Sequence, residues 1–178
     1  MNALYRETED LDHYGFLLID ARNAFNELQR ISLLYHVRHL WPRAAKYVYN
    51  CYSHHSTSIV RSLNGKVFTV YSQEGIVQGD PILMFCYAIG ILPLCKHLKT
   101  IHADCQSTWY ADDSVAAGTF EQIEMFFDDL TIHGPSFGYH PEPSKSILIV
   151  KERDVESAAA YFKSNDRDFK IVNGHRYL

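Results

Sequence analysis

The stretch Trp109-Tyr110-Ala111-Asp112-Asp113 constrains this chain more than any other. Two adjacent acids follow an aromatic pair, and the short apolar run Ser114-Val115-Ala116-Ala117-Gly118 comes next. Both flanks have strand composition, which puts the acids at the tip of a hairpin. Neighbouring strand residues point to opposite faces, yet a tight turn brings at least one acid, and can bring both, to a common site. Two carboxylates held close repel, and one stays protonated unless a cation neutralises the pair. The cation that suits them is Mg²⁺, a hard ion bound through one or two carboxylates plus substrate phosphates. An Asp-Asp pair taken alone is more often a solvated turn. The apolar approach argues against that here, because a surface turn does not need it.

The 178 residues suffice for one domain with a real core, and nothing divides them, so 1–178 is read as a single domain. The formal net charge of −4 counts against a free-standing nucleic-acid binder, which carries a basic face, and fits an acidic catalytic centre. The polar start Met1-Asn2-Ala3-Leu4-Tyr5-Arg6-Glu7 is no signal peptide, and no apolar run is long enough to span a membrane. Cys51, Cys86, Cys95 and Cys105 form no Cys-x-x-Cys pair and read as reduced thiols. An intracellular chain with no membrane partner is therefore expected. His97, His102 and Cys105 match the spacing of no common zinc site.

Taken in order, Gly15-Phe16-Leu17-Leu18-Ile19 has strand length and closes at Asp20. An acid ending a buried strand is rigidly held, as a catalytic centre requires, though it also suits a helix cap. Phe25, Leu28, Ile31, Leu34 and Tyr35 recur at helical spacing, and a second helix opens at Pro42 with the stripe Ala45, Val48, Tyr49 and Tyr52. Thr57 to Ser62 and Lys66 to Gln73 flank Leu63-Asn64-Gly65, a hairpin signal. The loop Glu74-Gly75-Ile76-Val77-Gln78-Gly79-Asp80-Pro81 lets backbone approach a ligand. It leads into a nearly all-apolar helix from Ile82 to Leu98, with Asp80 as its expected N-cap and Pro81 in its first turn. Phe120, Ile123, Phe126, Phe127 and Leu130 mark another helix, capped by Thr119 and ended by Gly134-Pro135. A turn-rich loop from Gly138 to Ser146 precedes the strand Ile147-Leu148-Ile149-Val150, and Asp154 to Phe162 reads as helical. Phe169 to Val172 and Arg176 to Leu178 straddle Asn173-Gly174, a second hairpin signal.

Four of these stretches, in this order and spacing, resemble the reverse transcriptase palm of retrotransposons and related mobile elements. Leu18-Ile19-Asp20-Ala21-Arg22-Asn23-Ala24-Phe25 resembles the first motif of that family, an acid with an aromatic five positions on. Gln78-Gly79-Asp80-Pro81 is similar to the second, Tyr110-Ala111-Asp112-Asp113 to the third and most specific, and Gly138-Tyr139 through Lys145-Ser146 to the fourth. The resemblance runs from Phe16 to Val150, and Gly174-His175-Arg176-Tyr177-Leu178 resembles the lead from palm to thumb. Leu83-Met84 stand where many relatives carry Ser-Pro. Little sequence precedes the first motif where the family has its fingers region, and no thumb follows, so the resemblance implies a palm fragment whose fingers and thumb would lie in flanking sequence.

The resemblance implies an α+β palm: a small central antiparallel sheet packed against helices, plus β-hairpins. It implies an RNA-directed DNA polymerase that adds deoxynucleotides (dNTP) to a primer on an RNA or DNA template. Asp20 and Asp112 would hold two Mg²⁺ ions, or Mn²⁺ in their place, with Asp113 as a weaker ligand and the Ala21 carbonyl completing one sphere. Lys145 would balance or protonate the leaving pyrophosphate. Phe25 would lie under the nucleotide sugar, while Gln78, Gly79 and Tyr110 would contact nucleotide or template. Two other readings stay open. One is an RNA-dependent RNA polymerase palm, against which the ring at Phe25 argues. The other is an inactive or co-opted element fragment that binds nucleic acid or protein.

Overall fold

The computed structural model describes residues 8 and 10–173. Along them run β1 (Tyr14–Ile19), α1 (Ala24–Glu27), α2 (Arg30–Leu40), α3 (Pro42–Tyr52), β2 (Ser56–Arg61), β3 (Val67–Ser72), α4 (Leu83–Ile101), β4 (Gln106–Tyr110), β5 (Asp113–Thr119), α5 (Phe120–His133), β6 (Ile147–Val150), α6 (Val155–Ser164) and β7 (Lys170–Asn173). The strand that closes at Asp20 is the centre of a five-stranded sheet ordered β4-β5-β1-β6-β7. It pairs antiparallel with β5 and β6, and β4 joins β5 as a hairpin. β2 and β3 form a separate two-stranded sheet. This is the α+β architecture expected from the sequence.

Alternation along β1 sets the layers. Leu17 and Ile19 face the main core with Ala116, Leu148 and Val150, where Phe126, Phe127 and Leu130 of α5 and Leu94 and Leu98 of α4 join them. Phe16 faces the other way, in a smaller cluster with Tyr14, Ala117 and Ile149. On that side burial declines toward the Asp20 end, where Leu18, Val115 and Ile147 are only half-buried. Each fully buried aliphatic or aromatic side chain contributes ~1.5–3 kcal/mol, against ~1 kcal/mol of repulsion between two solvated like charges 4 Å apart. The strand therefore has ample stability to hold acids at its open end.

Several helix expectations hold. Thr119 caps α5 in a full capping box: its hydroxyl accepts from the Gln122 N–H, and the Gln122 side chain accepts from the Thr119 N–H. Gly134-Pro135 ends that helix in a short 3₁₀ turn. The Asn64-Gly65 hairpin forms, with Gly65 in the left-handed region.

Other expectations are corrected. The spacing predicts one helix through Phe25 and Tyr35, but the chain breaks at Leu28-Gln29. There the Leu28 carbonyl accepts from the Gly75 N–H and the Gln29 N–H donates to the Phe137 carbonyl, so tertiary hydrogen bonds occupy the groups a continuous helix would use. The break rotates the buried face of α2 to Arg30, Leu33 and Val37, leaving Ile31 and Tyr35 exposed. Asp80 is not the N-cap of α4, which starts at Leu83 after Pro81 and runs to Ile101. The Asp80 carboxylate is instead engaged by Tyr52 and the Ile82 N–H. The first half of the second hairpin signal is β7, which pairs in parallel with β6, so the run joins the main sheet. Its second half, Arg176 to Leu178, lies outside the described residues, as does the rest of the segment from Gly174.

Candidate functional site

The acidic hairpin closes through a two-residue loop: Tyr110 pairs with Asp113, leaving Ala111 and Asp112 at the tip. Ala111 has φ 56°, the left-handed conformation that two-residue hairpin loops demand and that glycine ordinarily supplies. A non-glycine residue there stores ~1–3 kcal/mol of strain, a cost tolerated mainly where the surroundings over-determine the backbone.

Tyr139 is what over-determines it. This side chain is fully buried beneath the turn. Its hydroxyl donates to the Asp112 carbonyl (3.2 Å) and shares a 3.0 Å hydrogen bond with Ser114 Oγ. Its ring packs edge-on against Trp109 at 5.3 Å. Burial pushes the Tyr139 phenol well above its ordinary range, so it is a neutral donor at any working pH. Tyr139 and Ser114 support the acidic turn; sequence reasoning places Tyr139 in its fourth stretch but gives neither residue this role. The signal was an aromatic inside a loop otherwise rich in Gly, Pro and Ser.

The same loop fixes Asp20. The Glu142 N–H donates to the Asp20 carbonyl (2.9 Å), the Arg22 N–H donates to the His140 carbonyl (2.9 Å), and Ala21 bridges Pro141. Ser146 Oγ accepts from the Asp20 N–H (3.4 Å) and donates to the Glu142 carbonyl. Lys145 is thereby carried beside Asp20.

Asp20, Asp113, Tyr110 and Lys145 line one cavity of about 420 Å³. Its floor is the half-buried patch of Leu18, Val115 and Ile147. Partial desolvation raises the Asp113 carboxyl above the usual range, and the charges of Asp112 and Asp20 push it the same way, although the residue remains largely open to solvent. The charges of Asp112 and Asp20 thus both reach Asp113. Among the described residues no three His, Cys, Asp or Glu side chains are gathered tightly enough to hold an ion alone. The donor type, oxygen with surplus negative charge, is the type Mg²⁺ takes, but Asp20, Asp112 and Asp113 are not drawn together as one ligand set.

The remaining predicted residues lie elsewhere. Phe25 does not line the cavity; it is half-buried on α1, with its ring 4.8 Å from that of Tyr87. Gln78 and Gly79 are exposed on the Gly-rich loop, with Gly79 at φ 94°. The imagined zinc trio is dispersed in role: His102 Nε2 contacts Asp129 Oδ2 at 2.8 Å, Cys105 is buried, and the His97 ring faces that of His133. No described helix is long and apolar enough to cross a membrane.

No family model and no curated protein matches the sequence. Solved structures do match. Telomerase from Candida tropicalis superposes with a TM-score of 0.64 at 12% identity, over 85% of this chain and 31% of that one. Telomerase from Candida albicans in complex with the TWJ fragment of telomeric RNA gives 0.61 at 11%, over 85% and 30%. The Candida tropicalis enzyme with its TWJ fragment gives 0.63 at 13%, over 83% and 27%. Over most of its length the chain has the fold of a part of telomerase. At such identities the likeness concerns fold alone. The chain spans about a third of the length of these telomerase structures.

Proposed function

We propose that this chain is the catalytic palm of an RNA-directed DNA polymerase of the mobile-element type. The observation that carries the reading is one cavity on a mostly antiparallel sheet, lined by Asp20, Tyr110, Asp113 and Lys145; Asp112 sits at the tip of the adjoining turn and is not among the lining residues. Asp20 and Asp112, with the Ala21 carbonyl and Asp113 in support, would hold two Mg²⁺ or Mn²⁺ ions. Bound there, such ions stabilise the attacking and leaving oxygens of an in-line displacement at phosphorus. The chain supplies the rest. The sheet fixes the acids, Lys145 presents a cation and proton donor toward the leaving pyrophosphate, and the apolar floor limits water. Gln78 and Gly79 offer polar side chain and open backbone to nucleotide or template, and Tyr110 offers an exposed ring at the rim. The partners are a primer on an RNA or DNA template and a dNTP, and the setting is intracellular. The direct test is binding of a dNTP and a primer–template to the 178-residue chain, with Mg²⁺ and with chelator. Mg²⁺-dependent nucleotide binding that Asp20→Asn removes is expected; equal binding by wild type and Asp20→Asn rejects the reading.

Sugar choice separates this reading from an RNA-polymerase palm. Phe25 follows Asp20 by five residues at the start of α1. Phe25 stands outside the cavity, against Tyr87; a rigid ring that reached the nucleotide sugar would leave the 2′-hydroxyl unpartnered, at roughly 2–4 kcal/mol. Phe25→Val in an active protein carrying this segment is expected to raise ribonucleotide incorporation by at least roughly tenfold, ~1.4 kcal/mol being one factor of ten. Deoxynucleotide incorporation should fall modestly, because the contact with Tyr87 is also lost. Equal losses for both sugars, with a lower melting temperature, would make Phe25 a packing residue only.

A further inference from the structure

Arg30 is an arginine on a core-facing helix position, buried with Leu33 and Val37. Among the described residues its guanidinium hydrogen-bonds only neutral acceptors, while the nearby Glu74 carboxylate acts on it through its charge. Nε donates to the Gly75 carbonyl (2.7 Å), Nη1 to the carbonyls of His54 (3.0 Å) and Ser72 (3.1 Å), and Nη2 to Ser72 Oγ (3.1 Å). The ring of Tyr52 lies beneath it, 5.6 Å from centroid to guanidinium carbon. In return the Arg30 N–H donates to Glu74 Oε2 (2.9 Å). One side chain thus joins three segments: the exit of α3 at His54, the end of β3 at Ser72, and the start of the Gly-rich loop at Gly75. A buried charge is an expensive way merely to fill space, even with Glu74 offsetting part of the desolvation; a planar five-donor fork is the side chain that can tie three backbones together.

The loop so held is the one bearing Gln78 and Gly79. It is tied at both ends. Beyond Arg30, the Gly75 N–H donates to the Leu28 carbonyl and the Ile76 N–H to the Phe25 carbonyl. At the far end Tyr52, whose ring supports Arg30, donates its hydroxyl to Asp80 Oδ2 at 2.6 Å. Gly75 has φ 73° and sits so close to the Asn26 backbone that a Cβ would collide with it.

We propose that Arg30 is a positioning residue that locks the stem of the β2–β3 hairpin to the Gln78–Gly79 loop and so sets where that loop meets the incoming nucleotide. The role in nucleotide binding rests on the polymerase reading; the lock itself does not. A cavity of about 410 Å³ lined by Arg30, Tyr52, His54, His55 and Glu74 opens beside the guanidinium, which gives a small cation a route to the vacated position in a variant.

The experiment compares wild type, Arg30→Ala and Arg30→Lys by amide hydrogen exchange and by Mg²⁺–dNTP and primer–template affinity. In Arg30→Ala, exchange should rise for residues 73–80 and the hairpin stem, while β1, β5 and β6 stay protected. Nucleotide affinity should fall roughly tenfold, equivalent to ~1.4 kcal/mol, with primer–template affinity unchanged. Millimolar guanidinium, far below denaturing levels, should restore both exchange and affinity; a merely structural loss would not respond. Arg30→Lys keeps the charge but not the fork, and should show the same local loosening without global change. Should Arg30→Ala fail to fold, Arg30→Lys decides: loosening confined to 73–80 supports the lock. Intact protection of that loop in either folded variant overturns it. A wild-type chain that binds no nucleotide refutes the polymerase reading, and exchange still judges the lock.

Discussion

Replacing Asp112 by Asn is expected to lower nucleotide incorporation by about 10³-fold or more in an active protein that contains this segment, a loss of ~4 kcal/mol of transition-state stabilisation. The side chain keeps its shape but loses the charge that would hold a divalent ion. Tyr139 contacts the Asp112 backbone carbonyl, not its carboxylate, so the turn should survive the change. Primer extension measures the first effect, and thermal melting of the 178-residue chain measures the second. Melting carries a sign of its own. The Asp113 carboxyl is raised in the fold, in part by Asp112. A raised carboxyl contributes stability that is complete below its unfolded pKa and is lost as pH rises through the folded one. Removing the Asp112 charge lowers the folded value toward the ordinary range, so less is lost at neutral pH. Asp112→Asn should therefore melt slightly higher than wild type near neutrality and equally in acid. The gain is small because Asp113 is largely solvated. Undiminished extension by Asp112→Asn rejects the two-ion reading.

Gly138→Ala should be among the most damaging single changes outside the acids. Gly138 has φ 78°, and a Cβ there would run into the Glu27 carbonyl and the Leu28 backbone. The left-handed conformation costs a non-glycine residue ~1–2 kcal/mol, and overpacking against backbone that cannot yield adds ~1–3 kcal/mol, together about 2–5 kcal/mol. The displaced neighbour is Tyr139, so the Asp112 turn should loosen before the sheet does. Gly79→Ala is the control: φ is 94°, but nothing lies near the Cβ position, leaving only the conformational cost. Urea unfolding should rank Gly138→Ala well below Gly79→Ala in stability. Equal stabilities would show that the contact between the Gly138 loop and α1 does not matter to the fold.

What the sequence determined by itself was everything written in local pattern. Strand-length apolar runs located β1, β5 and β6; Asn64-Gly65 located the hairpin; Thr119 started α5. The order of motifs pointed to a palm, and the structure gives an α+β fold that superposes on part of telomerase. Periodicity is a property of neighbours in the chain, so elements whose hydrogen bonds stay local are visible from it. The break at Leu28-Gln29 was not visible, because its cause is a pair of hydrogen bonds to Gly75 and Phe137, far along the chain. That break turned α2 and buried Arg30 in place of Ile31. Tertiary structure likewise took Asp80 from its expected cap and gave it to Tyr52, and drew β7 into parallel pairing with β6. It also placed Tyr139 under Asp112 and set Asp20, Asp113 and Lys145 around one cavity while leaving Phe25 against Tyr87. Sequence spacing names which groups carry charge; only the packing of distant segments decides which of those charges share a space, because burial and Coulomb repulsion act through distance in the fold and not along the chain.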